Sequence, residues 1–319
     1  MTREKSIIQL PNLSRYRSTM LDRGLLLPLS VVEVPPNGLL DVLPLTDASK
    51  NGWPWTTQTS IRVYATDVIW PKITIVTPSY NQGKFLEQTI RSVLLQNYPN
   101  LEYIVIDGGS TDNSVDIIKR YSPWISYWQS EHDSGQSQAI NVGFSIASGA
   151  YYAWINSDDY YVEGAFKKVV TAFQKTHPEF VYGYGTNEHV NNGHIELIRI
   201  QRLFDVFIRI PTLFQPSCFW VKEIHQPIWE ELQCALDYEL WLRMLKGKKK
   251  KLLKFPLSTA HVHSAAKTHG GGMDEAWRND NQLICSKHAH GPVYHWDVMV
   301  RINNLYLKTL HFIEKLGFN

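Results

Sequence analysis

The sequence predicts an α/β fold with an open, mostly parallel sheet flanked by helices on both faces. From Lys72 onward, short β-branched or apolar runs alternate with segments whose apolar residues recur at helical spacing. This alternating order is typical of parallel sheets, because each crossover helix returns the chain in the same direction. The 319 residues, 44% of them hydrophobic, can bury a sizeable core and exclude a disordered chain.

The expected elements follow in order along the chain. Strands are predicted at residues 73–77, 103–106, 124–128 and 151–155. Helices are predicted at residues 86–94, 111–121, 137–147, 166–173, 237–245 and 294–316. Leu86, Ile90 and Val93 share one face of the first of these helices. Ser110 or Thr111 is the expected N-cap of the second.

Three segments are expected. Residues 1–70 contain scattered prolines and only short apolar runs, which favours an irregular or β-rich extension packed on the main domain. The sequence Gly-Trp-Pro-Trp at residues 52–55 is expected to pin this extension through buried aromatic surface. The remaining predicted units are an α/β domain at 71–268, with halves of about 71–160 and 161–268, and a helical C-terminal segment at 269–319.

Composition and charge exclude several classes of protein. The formal net charge of +2 gives no sign of a nucleic-acid partner. Cys218, Cys234 and Cys285 are widely spaced and odd in number, which favours a reducing compartment over a disulfide framework. No signal peptide is apparent, and no apolar run reaches about 20 residues, so we expect a soluble cytoplasmic protein. The lysines at 248–251 favour a solvated turn; the alternative is peripheral contact with anionic lipid at a membrane surface.

The most informative cluster lies at residues 151–159, where the apolar run Tyr-Tyr-Ala-Trp-Ile ends in Asn-Ser-Asp-Asp. Asp158 and Asp159 at the carboxyl end of a buried strand suit Mg²⁺ or Mn²⁺, which binds carboxylates together with substrate phosphates. The alternative is that these two acids cap the helix that follows, because acidic residues favour helix N-termini.

Two further strand ends carry polar residues. Residues 77–81 read Thr-Pro-Ser-Tyr-Asn, and residues 107–112 read Asp-Gly-Gly-Ser-Thr-Asp. In a parallel sheet these ends meet the 156–159 cluster in one crevice. Turn chemistry explains any one of them, but three on one edge favour a ligand site. The Gly-x-Gly-x-x-Gly and Gly-x-x-x-x-Gly-Lys-Ser/Thr motifs are absent, which argues against an NAD-dependent oxidoreductase and a P-loop NTPase.

An ordered series of motifs over residues 73–267 resembles the family-2 glycosyltransferases, which have the GT-A fold. The matching pieces are Val-Thr-Pro-Ser-Tyr-Asn at 76–81, Ser-Val-Leu-Leu-Gln at 92–96, residues 102–112, Asp-Ser-Gly-Gln at 133–136, Ala-Ile-Asn-Val-Gly at 139–143 and Trp-Ile-Asn-Ser-Asp-Asp at 154–159. The resemblance implies a GT-A sheet that binds a nucleotide-diphospho-sugar through residues 71–160 and the acceptor through residues 161–268.

The resemblance also implies roles for individual residues. It assigns the nucleotide to Thr77, Pro78, Tyr80, Asp107, Ser110, Gln136, Asn141, Asn156 and Ser157, the divalent cation to Asp158 and His263, the donor sugar or diphosphate to Asp159 and Lys267, and the acceptor side to Gln215 and Trp220. Trp220 suits the core equally well, and His261 and His269 are less favoured ligands. Asn156 stands where the family signature Asp-x-Asp has its first Asp, so the resemblance implies a weaker metal site.

The implied catalytic base is Asp237, in the segment 235–243 that is similar to an acidic motif of the family. A carboxylate there takes the acceptor hydroxyl proton as the oxygen attacks the anomeric carbon, which inverts that centre. Glu239 is a weaker candidate for the base, and N-capping is the structural alternative for Asp237.

The predicted enzyme is a Mn²⁺- or Mg²⁺-dependent hexosyltransferase that uses a UDP-sugar. Its expected acceptor is a glycan or a lipid-linked sugar in cell-surface polysaccharide or glycolipid synthesis. A non-catalytic module that binds sugar nucleotides or glycans and a nucleotidyltransferase are the alternatives.

Overall fold

The structure is a computed structural model of the chain. It describes residues 8–65, 67–202, 213–264, 266–267 and 273–287, together with Leu305, Lys308, Thr309 and Phe312. His269 lies outside the described residues, and so does the predicted helix at 294–316 apart from those four positions.

The described residues form nine strands and seven α-helices. The strands are β1 (Ile73–Ser79), β2 (Leu101–Asp107), β3 (Tyr127–Ser130), β4 (Tyr151–Trp154), β5 (Asp159–Tyr161), β6 (Phe180–His189), β7 (His194–Ile198), β8 (Cys218–Val221) and β9 (Lys250–Val262). The helices are α1 (Leu13–Asp22), α2 (Gly83–Leu94), α3 (Ser114–Tyr121), α4 (Gln136–Ile146), α5 (Ala165–Thr176), α6 (Leu236–Met244) and α7 (Asp274–Lys287).

All nine strands of this described part join one sheet, in the order β3-β2-β1-β4-β8-β6-β9-β5, with β7 on the side of β6. The first four strands pair in parallel, as the sequence predicts. The second half is mixed, because β8 runs antiparallel to both β4 and β6 while β6 and β9 are parallel. The α/β class with an open sheet is confirmed, and its parallel part is the half nearest the amino terminus.

Strands β1 and β2 lie in the interior of the sheet. Every residue of β1 and β2 is buried, which suits strands that are covered by helices on both faces. Helix α2 buries its apolar face, with Leu86, Ile90 and Val93 fully enclosed. Helix α4 packs directly on β1: a Cβ on Gly143 would lie 2.5 Å from a methyl carbon of Val76. These contacts fix the carboxyl ends of the strands relative to the helices that follow them.

The N-terminal extension differs in part from the expectation. It contains the helix α1, which packs on α4, and the described residues before β1 form no strand. Residues 52–55 contact the main domain through hydrogen bonds, while Trp53 and Trp55 are only partly buried: Trp53 Nε1 donates to the Tyr161 carbonyl at 2.7 Å, and buried Arg91 donates to the carbonyls of Pro54 and Trp55. None of the helices in the described ranges combines the length and the apolarity that a bilayer crossing requires.

Helix α3 begins later than predicted. Its N-cap is Asn113, and neither Ser110 nor Thr111 caps it. Both residues serve the preceding turn: the Ser110 hydroxyl donates to Asp107 at 2.6 Å, and the Thr111 amide donates to the Asn81 side chain at 2.8 Å. The polar run 107–112 therefore builds a loop at the sheet edge before the helix starts.

Candidate active site

A cavity of about 830 Å³ lies at the carboxyl ends of the parallel strands, where the sequence predicts a crevice. Its walls carry Pro78 near the end of β1 and Tyr80 just after it, Gly108 after β2, Asp133 after β3, residues 156–159 after β4, Asp237 from α6 and Trp277 from α7. Residues from six elements of the fold thus converge on one space.

The loops after β1 and β2 are tied to each other. Asn81 adopts a left-handed backbone conformation, with φ of 52°, which asparagine tolerates better than most residues. The backbone N–H of Asn81 donates to the Ser110 hydroxyl, and the Asn81 side-chain oxygen accepts from the Thr111 backbone N–H, both at 2.8 Å. Tyr80, the residue before it, is 60% exposed on the cavity wall, so its ring is open to a ligand.

Asp107 does not line the cavity. It is fully buried, and both of its carboxylate oxygens are occupied by the turn that follows and by the neighbouring strand. Oδ1 accepts from the Ser110 hydroxyl, while Oδ2 accepts from the Ser110 amide at 2.8 Å and the Ser130 hydroxyl at 2.7 Å. Asp107 and Ser110 therefore build the loop, which corrects the expectation that they face a ligand directly.

Asp133 is the carboxylate that faces the cavity at this end. It follows β3 and belongs to the 133–136 motif, for which the resemblance implies no role of Asp133. One of its oxygens accepts from the Gly135 amide at 2.8 Å. A Cβ placed on Gly108 would lie 3.0 Å from both carboxylate oxygens of Asp133, so the absent side chain at 108 leaves room for that carboxylate. Desolvation raises the pKa of Asp133.

Asp158 and His263 meet at the end of β4. The His263 Nε2 atom lies 3.2 Å from the Asp158 Oδ2 atom. Phe85 stacks on the His263 ring with centroids 4.6 Å apart, and the His261 Nδ1 atom lies 2.5 Å from the Asp158 carbonyl oxygen. From the other side, the buried Thr89 hydroxyl donates to the Ser157 carbonyl at 2.9 Å. The loop that presents Asp158 is thus held by α2 and β9 together.

Asn156 is the centre of a chain of amide contacts. Its side-chain oxygen accepts from the Gln136 side chain at 2.7 Å. Its side-chain nitrogen lies 3.4 Å from an Asp159 carboxylate oxygen and 3.5 Å from the Gln215 side-chain oxygen. Gln136 in turn accepts from the Lys267 ammonium at 2.9 Å. An aspartate at 156 has no N–H to donate to Asp159, whose own pKa is already raised by desolvation and then by Asp158. The neutral residue at this position therefore keeps two carboxylates from facing each other.

Asp237 lies on the cavity wall in the first turn of α6. The helix has Ala235 as its N-cap, so Asp237 is not the cap residue. One carboxylate oxygen accepts from the Tyr238 amide at 2.8 Å. Desolvation raises the pKa of Asp237 to about 6. A carboxylate with such a pKa is ionised near neutral pH and is a stronger base than an ordinary aspartate.

Two other predicted residues lie away from the cavity. Thr77 is fully buried, and its hydroxyl lies 3.2 Å from the Tyr103 hydroxyl. Asn141 is fully buried as well, and both hydrogens of its amide are used, by the Ile228 carbonyl and by Glu230, each at 2.8 Å. These side chains support the site from behind it.

Trp220 and Glu239 belong to the interior. Trp220 is fully buried, and its ring centroid lies 5.6 Å from the ring centroids of both Trp154 and Trp241, which corrects its assignment to the acceptor side. Glu239 is fully buried and forms a two-pronged ion pair with Arg243, with N–O distances of 2.5 and 2.7 Å. Glu239 is therefore committed to Arg243, and Asp237 is the available base on α6.

The side chains around Asp158 fit a divalent cation that is shared with a ligand. Among the residues that the structure describes, no three His, Cys, Asp or Glu side chains converge as a cage. Asp158 and His263 offer one oxygen and one nitrogen. Mg²⁺ and similar ions commonly bind through one or two protein side chains, with phosphates and water supplying the remaining ligands. This ligand set therefore suits a cation bound to a diphosphate.

Comparison with known proteins agrees with this geometry. The profile of Glycosyl transferase family 2 matches residues 74–223. Glycosyltransferase GlyG of Streptococcus pneumoniae is 33% identical over 125 residues, 38% of this chain and 42% of the relative. An uncharacterized glycosyltransferase of Rickettsia typhi is 27% identical over 214 residues, 62% of this chain and 66% of the relative. The chain thus spans less than two thirds of the length of these relatives.

Solved structures show the same architecture. Staphylococcus aureus TarS 1–349 in complex with UDP-GlcNAc superposes with a TM-score of 0.56 at 18% identity, covering 68% of this chain and 66% of that one. The mannosyltransferase PcManGT of Pyrobaculum calidifontis, in complex with GDP-Man and Mn²⁺, gives a TM-score of 0.50 at 16% identity, covering 87% and 71%. The fold is therefore that of the GT-A glycosyltransferases. The match over residues 74–223, together with these relatives and structures, supports a family-2 glycosyltransferase.

Proposed function

We propose that the chain is an inverting glycosyltransferase that moves a sugar from a nucleotide-diphospho-sugar, most simply a UDP-sugar, to an acceptor hydroxyl. One observation carries the proposal: the open ring of Tyr80, the carboxylate of Asp158 and the desolvated carboxylate of Asp237 line the same cavity, and His263 lies 3.2 Å from Asp158. The relatives named above support the class, and the UDP-GlcNAc bound to TarS supports the type of donor.

The nucleoside end lies at the loops after β1, β2 and β3. We assign the face of the base to Tyr80, whose ring is exposed there, since an aromatic ring stacks well on a planar base. Asp133 then accepts an N–H of the base or a ribose hydroxyl, the role first given to Asp107. A carboxylate accepts hydrogen bonds only, so an ionised Asp133 favours ligands that donate.

The diphosphate end lies at Asp158, His263 and Lys267. A bound Mn²⁺ or Mg²⁺, held by Asp158 and His263, supplies positive charge against the phosphates. The Lys267 ammonium, which donates to Gln136 and to the Gln233 carbonyl, adds a second positive charge on this side. Desolvation lowers the pKa of Lys267, and a partly desolvated ammonium interacts more strongly with an anion than one in open water.

The chemistry falls to Asp237. Its carboxylate takes the proton of the acceptor hydroxyl while that oxygen forms a bond to the anomeric carbon. The bond from the anomeric carbon to the diphosphate oxygen breaks in the same step, and the nucleoside diphosphate leaves with its electron pair. Attack from the face opposite the leaving group inverts the anomeric centre.

A donor screen tests the proposal. The purified chain is incubated with UDP-, GDP- and dTDP-sugars, with and without Mn²⁺ or Mg²⁺, and release of the nucleoside diphosphate is measured. We expect cation-dependent hydrolysis of one donor class, and the same donor raises the melting temperature because it binds the native state. A chain that binds a donor with cation but turns over none, with a broad panel of acceptor glycans present, contradicts the enzyme proposal.

A further inference from the structure

Helix α7 lies outside the family-matched residues 74–223, yet it forms part of the cavity wall through Trp277. Trp277, Asp280 and Ile284 recur at spacings of three and four, so they share one face of the helix. Asp280 and Ile284 are 3% and 1% exposed, so this face is turned towards the body of the protein.

Asp280 binds the segment that leads into α6. Its carboxylate accepts from three successive backbone amides, those of Gln233 at 3.0 Å, Cys234 at 2.6 Å and Ala235 at 2.8 Å. Hydrogen bonds to an ionised acceptor are shorter and stronger than neutral ones. A negative charge at this end also suits the dipole of the helix that begins there.

Helix α6 has no cap of its own at this end. Its N-cap is Ala235, which has no side chain that can accept a hydrogen bond. The proposed base, Asp237, lies two residues further on. The direction in which Asp237 enters the cavity is therefore set by the residues that Asp280 holds.

The same helix also holds the loop that carries Lys267. Trp277 Nε1 donates to the Lys267 carbonyl at 3.3 Å, and the Lys267 ammonium donates to the Gln233 carbonyl at 3.0 Å. The backbone of Gln233 is thus bound twice: its N–H donates to Asp280, and its carbonyl accepts from Lys267. Through these contacts α7 joins the base side of the cavity to the leaving-group side.

We propose that Asp280 is a positioning residue for the transfer reaction: it fixes the start of α6 and thereby the placement of the base Asp237. This inference rests on the function proposed above. Asp280 itself does not line the cavity, so it acts through the backbone of residues 233–235 and makes no contact with substrate.

The test compares Asp280→Asn with wild type. The amide keeps one acceptor oxygen but loses the charge, and its NH₂ group faces the backbone amides. We expect kcat for sugar transfer to fall by about 10–100-fold, while KM for the donor stays within about twofold, because the donor contacts lie elsewhere. Glu275→Gln, an equivalent change at an exposed position in the first turn of the same helix, is the control and retains wild-type kcat.

A ranked variant and a second measurement complete the test. Asp280→Glu keeps the charge on a longer arm and is expected to retain more kcat than Asp280→Asn. Amide hydrogen exchange at residues 233–240 is expected to be faster in Asp280→Asn, with exchange in β1 unchanged. The proposal is overturned if Asp280→Asn keeps full kcat, or if it raises donor KM as much as it lowers kcat. The exchange measurement needs no turnover, so a wild-type chain without activity refutes the proposed function separately.

Discussion

The two halves of the cavity are built in different ways. The half that we assign to the nucleotide consists of loops at the ends of four neighbouring parallel strands, each close in sequence to the strand that positions it. The half that we assign to the acceptor combines α6 and α7, which are separated in sequence by β9 and its loops and meet only in the folded chain. Binding residues are thus placed locally, whereas the proposed base is placed by long-range contacts.

Replacing the proposed base, Asp237, gives the largest expected effect. It should lower the rate of transfer without weakening donor binding. We expect Asp237→Asn to lower kcat by about 10²–10⁴-fold, the range of a lost general base, with donor KM near the wild-type value. Since desolvation raises the pKa of Asp237 to about 6, wild-type kcat/KM should also fall as the pH drops below that value. Initial rates between pH 4.5 and 8.5 check both points. A variant that loses donor binding together with turnover contradicts the assignment.

Asp158 and Asp159 are adjacent, but we assign the cation to Asp158 alone. Asp158→Asn is expected to lower kcat/KM by about 10–100-fold and to raise the cation concentration needed for half-maximal rate. Asp159→Asn is expected to leave that concentration unchanged, since Asp159 is buried and contacts the Asn156 amide. Cation titrations of the two variants decide between them. Equal cation dependence contradicts Asp158 as the ligand.

The nucleoside end offers a matched pair of acids, Asp133 and Asp107. Asp133→Asn is expected to raise donor KM about tenfold with little change in stability, because one hydrogen bond to a charged group is lost in the complex. Asp107→Asn is expected instead to lower the melting temperature, because buried Asp107 accepts four hydrogen bonds within its own loop and from β3. Calorimetric binding and thermal unfolding separate the two effects. The reverse pattern restores Asp107 as the contact to the nucleoside.

The smallest expected effect is on stability and separates a base from a structural cap. The pKa of Asp237 is raised in the folded state, so the stability that this group contributes is present below its unfolded-state pKa and is lost as pH rises through about 6. The free energy of unfolding of Asp237→Asn should therefore exceed that of wild type by on the order of 2 kcal/mol at pH 8, with a much smaller difference at pH 4. A variant that is less stable at pH 8 favours the capping role.

Much of the donor half is predictable because its signals are local. Continuous apolar runs give β1 and β2, and the abrupt change to polar residues after Ile155 marks the Asp158 loop. The sequence does not tell which carboxylate of a polar loop faces outward. Asp107 ends β2 and Asp133 closely follows β3, and only the turn that encloses Asp107 distinguishes them.

The acceptor half is less predictable for a different reason. The helix with Asp237 is visible as a pattern, but the segment that leads into it is held by Asp280, which lies more than 40 residues later in the sequence. No local motif marks Asp280 or Trp277. The sequence leaves Trp220 open between the core and a sugar platform, because an aromatic residue in a short strand suits both, and its burial in the structure favours the core. Side chains that act across the fold require the fold to be known.

The small ligand set at Asp158 also affects the order of events in turnover. Asp158 and His263 provide two protein atoms, and the Asn156 amide is engaged with Gln136 and Asp159. A cation bound by so few groups takes most of its ligands from water and phosphate. We therefore expect the ion to enter with the nucleotide as a single unit, so that less cation is needed as donor concentration rises. In kinetic terms, we expect the cation–nucleotide complex to be the true substrate.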